Sequence, residues 1–126
     1  MQQKHLFEYA VIRVVPRVER EEFLNIGVIL YSKPAFLQSK YVLDPTRLLA
    51  FSADLDLADL KEHLCSFERL CLGDKAAGPI SKLDTASRFR WLTATRSTVL
   101  QTSKVHPGFS ENPLDTLNKL FEQLVG

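Results

Sequence analysis

Residues 7–15 read Phe-Glu-Tyr-Ala-Val-Ile-Arg-Val-Val, and this stretch decides the class of fold. One side of it is aromatic and aliphatic apart from Arg13, and the other side carries small and branched apolar residues. A strand that is apolar on both sides is typical of the centre of a sheet that is covered on each face. Pro16 ends the strand, because proline has no backbone N–H to donate to a neighbouring strand.

Three further segments extend the predicted sheet. Residues 26–31 predict a second strand, residues 36–43 a third and residues 98–104 a fourth. The short turn at residues 32–35 places the second and third strands in a hairpin. The third strand alternates polar and apolar residues, as expected for a strand nearer the edge of a sheet.

Capping residues mark the predicted helices. Aspartate or asparagine followed by proline is typical of a helix start, because the first side chain caps the helix and proline already has a helical φ. This signal predicts a short helix after Asp44 and a last helix after Asn112. Apolar residues at helical spacing predict a longer helix between Asp56 and Gly73. Residues 83–95 fit a helix or a strand, and the capping position of their aspartate favours a helix.

The order of these elements predicts an α+β fold. Strands and helices come in mixed order with one hairpin, which favours a small antiparallel or mixed sheet of about four strands with helices packed on it. His106-Pro107-Gly108 is typical of a turn. A chain of 126 residues fits one domain, so residues 1–126 are expected to form a single unit.

The composition limits the classes of function. The chain is 45% hydrophobic and 25% charged, which suffices for a core without metal or disulfide support. Its net charge of +1 argues against binding nucleic acid through phosphates and against a polybasic membrane anchor. No apolar run approaches the roughly 20 residues that cross a bilayer, and the N-terminus does not resemble a signal peptide. We therefore expect a soluble, cytoplasmic protein.

The residues that most often carry chemistry do not form a known motif. Cys65 and Cys71 on one helix would have Cα atoms about 9 Å apart, too far for a disulfide, and are expected to fill the core as free thiols. The three histidines have no partners at metal-ligand spacing. No phosphate loop, dinucleotide fingerprint or nucleophile elbow occurs. We expect no cofactor and no metal, and the sequence gives no catalytic signature for an enzyme.

Arg13 and the residues that follow it are the most informative polar group. A charge at a central strand position must pair or reach a cleft. In one interpretation Arg13 pairs with Glu22, and Asn25 stabilises the turn between the first two strands by hydrogen bonds to the backbone. In the other interpretation, the guanidinium of Arg13 lines a polar cleft and binds a phosphate or carboxylate through two hydrogen bonds. Gly27, at the start of the second strand, indicates a bulge or a close backbone approach.

A second group combines basic and aromatic residues: Arg88, Arg90, Trp91 and Arg96. Interleaved arginines and an aromatic side chain can contact phosphates and stack on bases. A helix that buries its tryptophan and exposes its arginines has the same pattern. The neutral charge balance favours this second interpretation.

Two segments resemble a known family. Tyr9-x-x-x-Arg13-x-x-Pro16, followed by residues 22–30 (Glu-Phe-Leu-Asn-Ile-Gly-Val-Ile-Leu), is similar to the domain of unknown function 3037 family of bacterial proteins. Residues 89–97 and 120–125 also resemble it. The resemblance implies a cytoplasmic domain that is often encoded beside a kinase-like protein of the type found in bacterial persistence toxins. It marks a candidate binding or structural cluster of Arg13, Glu22, Asn25, Gly27 and Arg96, and no catalytic residue.

Two hypotheses of function follow. The first is a binding or regulatory module whose partner is a kinase-like protein, which predicts an exposed apolar or mixed patch of roughly 800 Å². The second is a small-anion receptor or enzyme, which requires Arg13, Glu22, Asn25 and Arg96 to converge on a concave pocket. The sequence leaves the substrate, the identity of the partner and the oligomeric state open.

Overall fold

The computed structural model describes residues 4–94 and 98–126. Within these ranges the chain forms an α+β domain in which every pair of neighbouring strands is antiparallel. The strands are β1 (His5–Val14), β2 (Leu24–Ser32), β3 (Phe36–Tyr41), β4 (Leu100–Thr102) and β5 (His106–Ser110). The helices are α1 (Pro45–Phe51), α2 (Leu57–Leu72), α3 (Thr85–Leu92) and α4 (Pro113–Leu124).

Strand β1 lies at the centre of the sheet, as its sequence predicts. It pairs with β2 along one side, and β2 pairs with β3 to complete the predicted hairpin. Along its other side β1 pairs first with β5 and then with β4, which lie one after the other on the same edge. Between them the backbone N–H of Ser103 donates to the carbonyl oxygen of Val11 at 2.8 Å. Val11 N in turn donates to the side-chain Oγ of Ser103, at 2.8 Å, rather than to a backbone carbonyl.

The prediction of a turn at His106-Pro107-Gly108 was wrong. These residues begin β5, in which His106 lies opposite Tyr9 and Ser110 lies opposite His5. Proline is tolerated there because an edge strand has one side on which a missing N–H needs no partner. The described residues therefore form five strands, one more than the approximate number predicted.

Helices cover the sheet on both faces. The larger apolar cluster lies between one face of the sheet and α1, α2 and α3, and includes the buried residues Ile12, Ile29, Leu48, Leu64 and Phe89. The smaller cluster lies under α4 and includes Phe7, Val28, Leu30 and Leu117. Burial of apolar area on both faces is the main stabilising contribution to the central strands.

The predicted helix signals are confirmed, including the favoured helix in residues 83–95. The Asp84 side chain accepts a hydrogen bond from Ser87 N at 2.8 Å at the start of α3. Gly73 ends α2 with a left-handed φ of 74°. The prediction that both cysteines fill the core was wrong for Cys65, which is exposed, whereas Cys71 is buried. Six positions rotate a side chain about 240° around a helix, so the two thiols face different surroundings.

Candidate functional site

A bulge in β2 brings the predicted cluster into register. Ile12 lies opposite Gly27 but Arg13 lies opposite Asn25, so Ile26 is an extra residue on the β2 side. A Cβ at Gly27 would stand 2.6 Å from the carbonyl oxygen of Lys40, a separation that no side chain tolerates. Of the two alternatives predicted at Gly27, a bulge or a close backbone approach, the close approach is present at Gly27 itself, and the bulge lies at the neighbouring Ile26.

Arg13 occupies a partly buried position, and no carboxylate of the described residues forms an ion pair with it. Its guanidinium carbon lies 3.9 Å from the centroid of the Phe23 ring, which is 46% exposed. Its Nε is inaccessible to solvent and has no hydrogen-bond partner among the described residues. Burial also lowers the pKa of Arg13 from its ordinary value. An arginine remains charged in this environment, so within residues 4–94 and 98–126 the contact that the guanidinium makes is with an aromatic ring.

Glu22 does not pair with Arg13. Its Oε1 lies 2.8 Å from Nη2 of Arg20, and both side chains are more than half exposed. Glu22 and Phe23 are consecutive residues that directly precede β2. Phe23 covers Arg13, and Glu22 is exposed. The structural pairing considered from the sequence is therefore wrong.

Asn25 connects the bulge to the last turn of α4. Its Nδ2 donates a hydrogen bond to the carbonyl oxygen of Leu124 at 3.2 Å. Its Oδ1 is buried and has no partner in the described part of the chain. Because directly opposite residues of two strands project to the same face, the Arg13 and Asn25 side chains lie on the same face of the sheet, which is the face that α4 covers.

The remaining members of the predicted cluster do not complete a catalytic site. Arg96 lies outside the described residues. Glu22 lines a cavity of about 230 Å³ with Arg17, Arg20 and residues of the α1–α2 connection, and its carboxylate is already bonded to Arg20. Neither Arg13 nor Asn25 lines that cavity. In the described part of the chain, Arg13 and Glu22 therefore do not meet in one pocket.

The basic and aromatic group on α3 is divided in the structure. Arg88 turns towards the protein and donates from Nη1 to the carbonyl oxygen of Leu83 at 2.7 Å. Its guanidinium packs beside Gly73, at 3.3 Å from the position that a Cβ there would take. Arg90 is exposed, and Trp91 is 41% exposed rather than buried. Trp91 borders a groove of about 420 Å³ between α2, α3 and β4, whose walls include Phe67, Leu70, Leu92 and Leu100.

An apolar surface on β1 and β5 was missed by sequence reasoning. Leu6 and Phe109 lie directly opposite each other and are 49% and 69% exposed. Both project to the face that α1–α3 cover elsewhere, but β5 packs mainly against β1 and extends past those helices. The alternation in residues 106–110 was a possible signal for this strand, but the proline and glycine indicated a turn instead.

Within residues 4–94 and 98–126, no three histidine, cysteine, aspartate or glutamate side chains lie close enough together to hold a metal ion. None of the helices in these ranges combines the length and the apolar character that crossing a bilayer requires.

The described residues define a small α+β domain with a five-stranded antiparallel sheet and four α-helices. The chain belongs to the family described as "Protein of unknown function (DUF3037)", whose family model matches residues 9–125. This confirms the resemblance inferred from the residues around Arg13. No curated protein and no solved structure matches the chain.

Proposed function

We propose that this protein is a protein-binding module and that it acts as the regulatory partner of a kinase-like protein. The observation that supports this function best is the exposed pair of Leu6 and Phe109 on the uncovered part of the sheet. The kinase-like nature of the partner rests on the family resemblance. A cytoplasmic location belongs to the same proposal and is supported by the free thiols of Cys65 and Cys71.

The exposed pair has the character of an interface centre. Aromatic residues are enriched among the side chains that dominate binding energy, and those residues cluster where an interface excludes water. Phe109 leaves most of its ring in solvent although it belongs to a regular strand that holds it in place. The next pair along the same face, Glu8 and Pro107, adds a charge at the border of the apolar area. An apolar centre with a polar border is the usual anatomy of a protein interface.

Co-expression tests the proposal directly. The tagged protein is produced together with the kinase-like protein encoded beside it, and the mixture is analysed by size-exclusion chromatography. We expect a stoichiometric complex with the unsubstituted chain and a loss of affinity of about tenfold or more with Phe109→Ser. The fold should be unaffected, because the ring is mostly in solvent already.

Leu72→Ser provides the matched control. Leu72 is 65% exposed on α2, so this substitution removes a similar exposed apolar side chain from another part of the surface. We expect it to leave the complex intact. Clean separation of the two unsubstituted proteins at micromolar concentration would contradict the proposal, as would equal losses from both substitutions.

The second candidate function is a receptor for a small anion, supported by the unpaired guanidinium of Arg13. The enzyme version lacks support from the geometry, because Glu22 is bonded to Arg20. Nucleic-acid binding through Arg88, Arg90, Trp91 and Arg96 is the weakest candidate, since Arg88 is bonded to a backbone carbonyl of its own domain. Retention on heparin that weakens steeply with salt would revive it.

A further inference from the structure

We propose that the groove between α2, α3 and β4 binds a short linear segment of a partner protein that carries an apolar side chain and, a few residues away, a basic one. This groove is separate from the exposed pair of Leu6 and Phe109. Leu100 in its wall lies opposite Val14, eight positions along β1 from Leu6, and eight residues of strand span about 26 Å. Binding in the groove therefore does not depend on the function proposed above.

The apolar part of the site is the groove itself. Its volume is about 420 Å³, and its walls include Phe67, Leu70, Leu92 and Leu100. Two further wall residues, Trp91 and Val99, are 41% and 36% exposed. A concave apolar surface of this size suits a side chain such as leucine or phenylalanine, whose removal from water favours binding.

The groove continues into an acidic trough, which is formed by Asp54, Asp56 and Asp59 at the start of α2. Asp59 and Val99 line both the groove and a neighbouring cavity of about 230 Å³, so the two spaces meet. Asp54 and Asp56 line that neighbouring cavity, and all three carboxylates belong to exposed residues. A ligand that fills the groove therefore reaches carboxylates at one end of it.

The balance of charge in the trough favours a basic ligand. Among the described residues that line the two spaces, the cationic side chains are Arg17 and, when protonated, His63. His63 Nε2 lies 3.5 Å from Oδ2 of Asp59. The three carboxylates outnumber these cations in either state of His63. A lysine or arginine of the ligand is therefore attracted to the trough, whereas a phosphate or a carboxylate is repelled.

Helix α2 sets the distance between the apolar and the acidic part. Phe67 in the groove and Asp59 in the trough are eight residues apart on this helix, which corresponds to about 12 Å along its axis. An extended chain covers this distance in about three or four residues. The preferred ligand is therefore a segment whose apolar and basic side chains are separated by that number of positions.

Trp91 provides a direct measure of binding. It is the single tryptophan of the chain and it borders the groove, so an apolar side chain bound there should change its fluorescence. The probe is the peptide acetyl-Leu-Phe-Ser-Gln-Arg-Lys-amide, which has the required spacing and no tryptophan. We expect a saturable change with a dissociation constant of about 1 mM or less. No saturable change up to about 10 mM peptide would overturn the proposal.

Two control peptides separate the apolar from the charged contribution. Acetyl-Leu-Phe-Ser-Gln-Glu-Glu-amide reverses the charge, and acetyl-Ser-Ser-Ser-Gln-Arg-Lys-amide lacks the apolar side chains. Each should bind about tenfold more weakly than the probe or less. Equal binding of the charge-reversed peptide would overturn the role of the acidic trough. Equal binding of the peptide without apolar side chains would overturn the role of the groove.

A pair of matched variants connects binding to the trough. Asp59 and Asp115 are exposed residues in the first turns of α2 and α4, and Asp115 lines neither space. Lysine at either position places a cation at the positive end of a helix, so Asp59→Lys and Asp115→Lys should affect the fold similarly. We expect Asp59→Lys to weaken binding of the probe about tenfold and Asp115→Lys to leave it unchanged.

Equal affinities of these two variants for the probe would refute the proposal. Failure of the complex with a kinase-like protein leaves the peptide measurements intact, so the two proposals can fail separately.

Discussion

Replacing Arg13 by methionine tests whether the arginine stabilises the fold. Methionine keeps most of the length and the apolar stem of the side chain and removes the charge. Two contributions then change in opposite directions. Loss of the cation–π contact with Phe23 destabilises the fold. Loss of the inaccessible Nε, which has no partner among the described residues, stabilises it.

The magnitudes of these two contributions predict that the Arg13→Met variant is as stable as the unsubstituted protein or more stable. A cation–π contact at a partly exposed site contributes about 0.5–1 kcal/mol. A buried donor left without a partner costs about 1–3 kcal/mol. The free energy of unfolding should therefore remain the same or rise by about 2.5 kcal/mol at most. Had Arg13 formed the buried pair with Glu22, removing it would instead lower that free energy by about 3–5 kcal/mol.

Urea unfolding followed by far-ultraviolet circular dichroism measures this difference. The slope against urea should match that of the unsubstituted protein, so that any change in midpoint reports stability alone. Arg17→Met controls for the loss of a positive charge and should shift the free energy of unfolding by no more than about 0.5 kcal/mol. A fall of about 3 kcal/mol or more in the Arg13→Met variant would refute the reasoning, because it would show that the cation has a stabilising partner in the fold.

Three further predictions concern other parts of the molecule. Gly27→Ala should lower the free energy of unfolding by about 1–3 kcal/mol, because its Cβ would stand 2.6 Å from Cβ of Tyr41; an unchanged urea midpoint would contradict this. Burial raises the pKa of Cys71 to about 12, whereas Cys65 is exposed. Iodoacetamide at pH 8 should therefore label Cys65 in the folded protein and Cys71 only after unfolding. Rapid labelling of both cysteines, measured by mass spectrometry, would be inconsistent with the packing of α2. Hydrogen bonds from Ser87 hold the pKa of Asp84 below its usual value, so its contribution to stability is complete above the unfolded value of about 3.9 and is lost as pH falls through the lower folded value. Asp84→Asn should flatten this part of the acid-unfolding curve, and an unchanged curve would argue against the cap.

The elements with strong local signals could be predicted from the sequence. Residues 7–15 are apolar on both faces because β1 is covered on both faces, and this pattern needs no knowledge of its neighbours. Asp56 and Gly73 mark the ends of α2 through bonds within a few residues of themselves. The strand β5 escaped prediction because its pairing with β1 joins residues about a hundred positions apart, and that pairing overrides the local preference of Pro107 and Gly108.

The candidate sites depend even more on distant contacts. The sequence indicated which residues cluster near Arg13, but not which of them are in contact. The contacts depend on the bulge at Ile26, because a shift of one residue changes every pair of opposite residues beyond it in β1 and β2. Proximity along the chain suggested Glu22 as the partner, whereas the side chain that covers Arg13 is Phe23. The exposure of Phe109 was also out of reach, since it depends on where the helices end above the sheet.

The interruption between β4 and β5 has a consequence for how the molecule meets other chains. A long, regular edge of a sheet is a template on which a second chain can add a strand, and proteins prevent such growth with short edges and prolines. Here β4 has three residues, residues 103–105 lie outside both edge strands, and Pro107 lies in β5. The backbone of this edge therefore resists the addition of further strands, while the side chain of Phe109 remains exposed for docking. A large exposed aromatic ring at this position is thus compatible with a protein that does not aggregate.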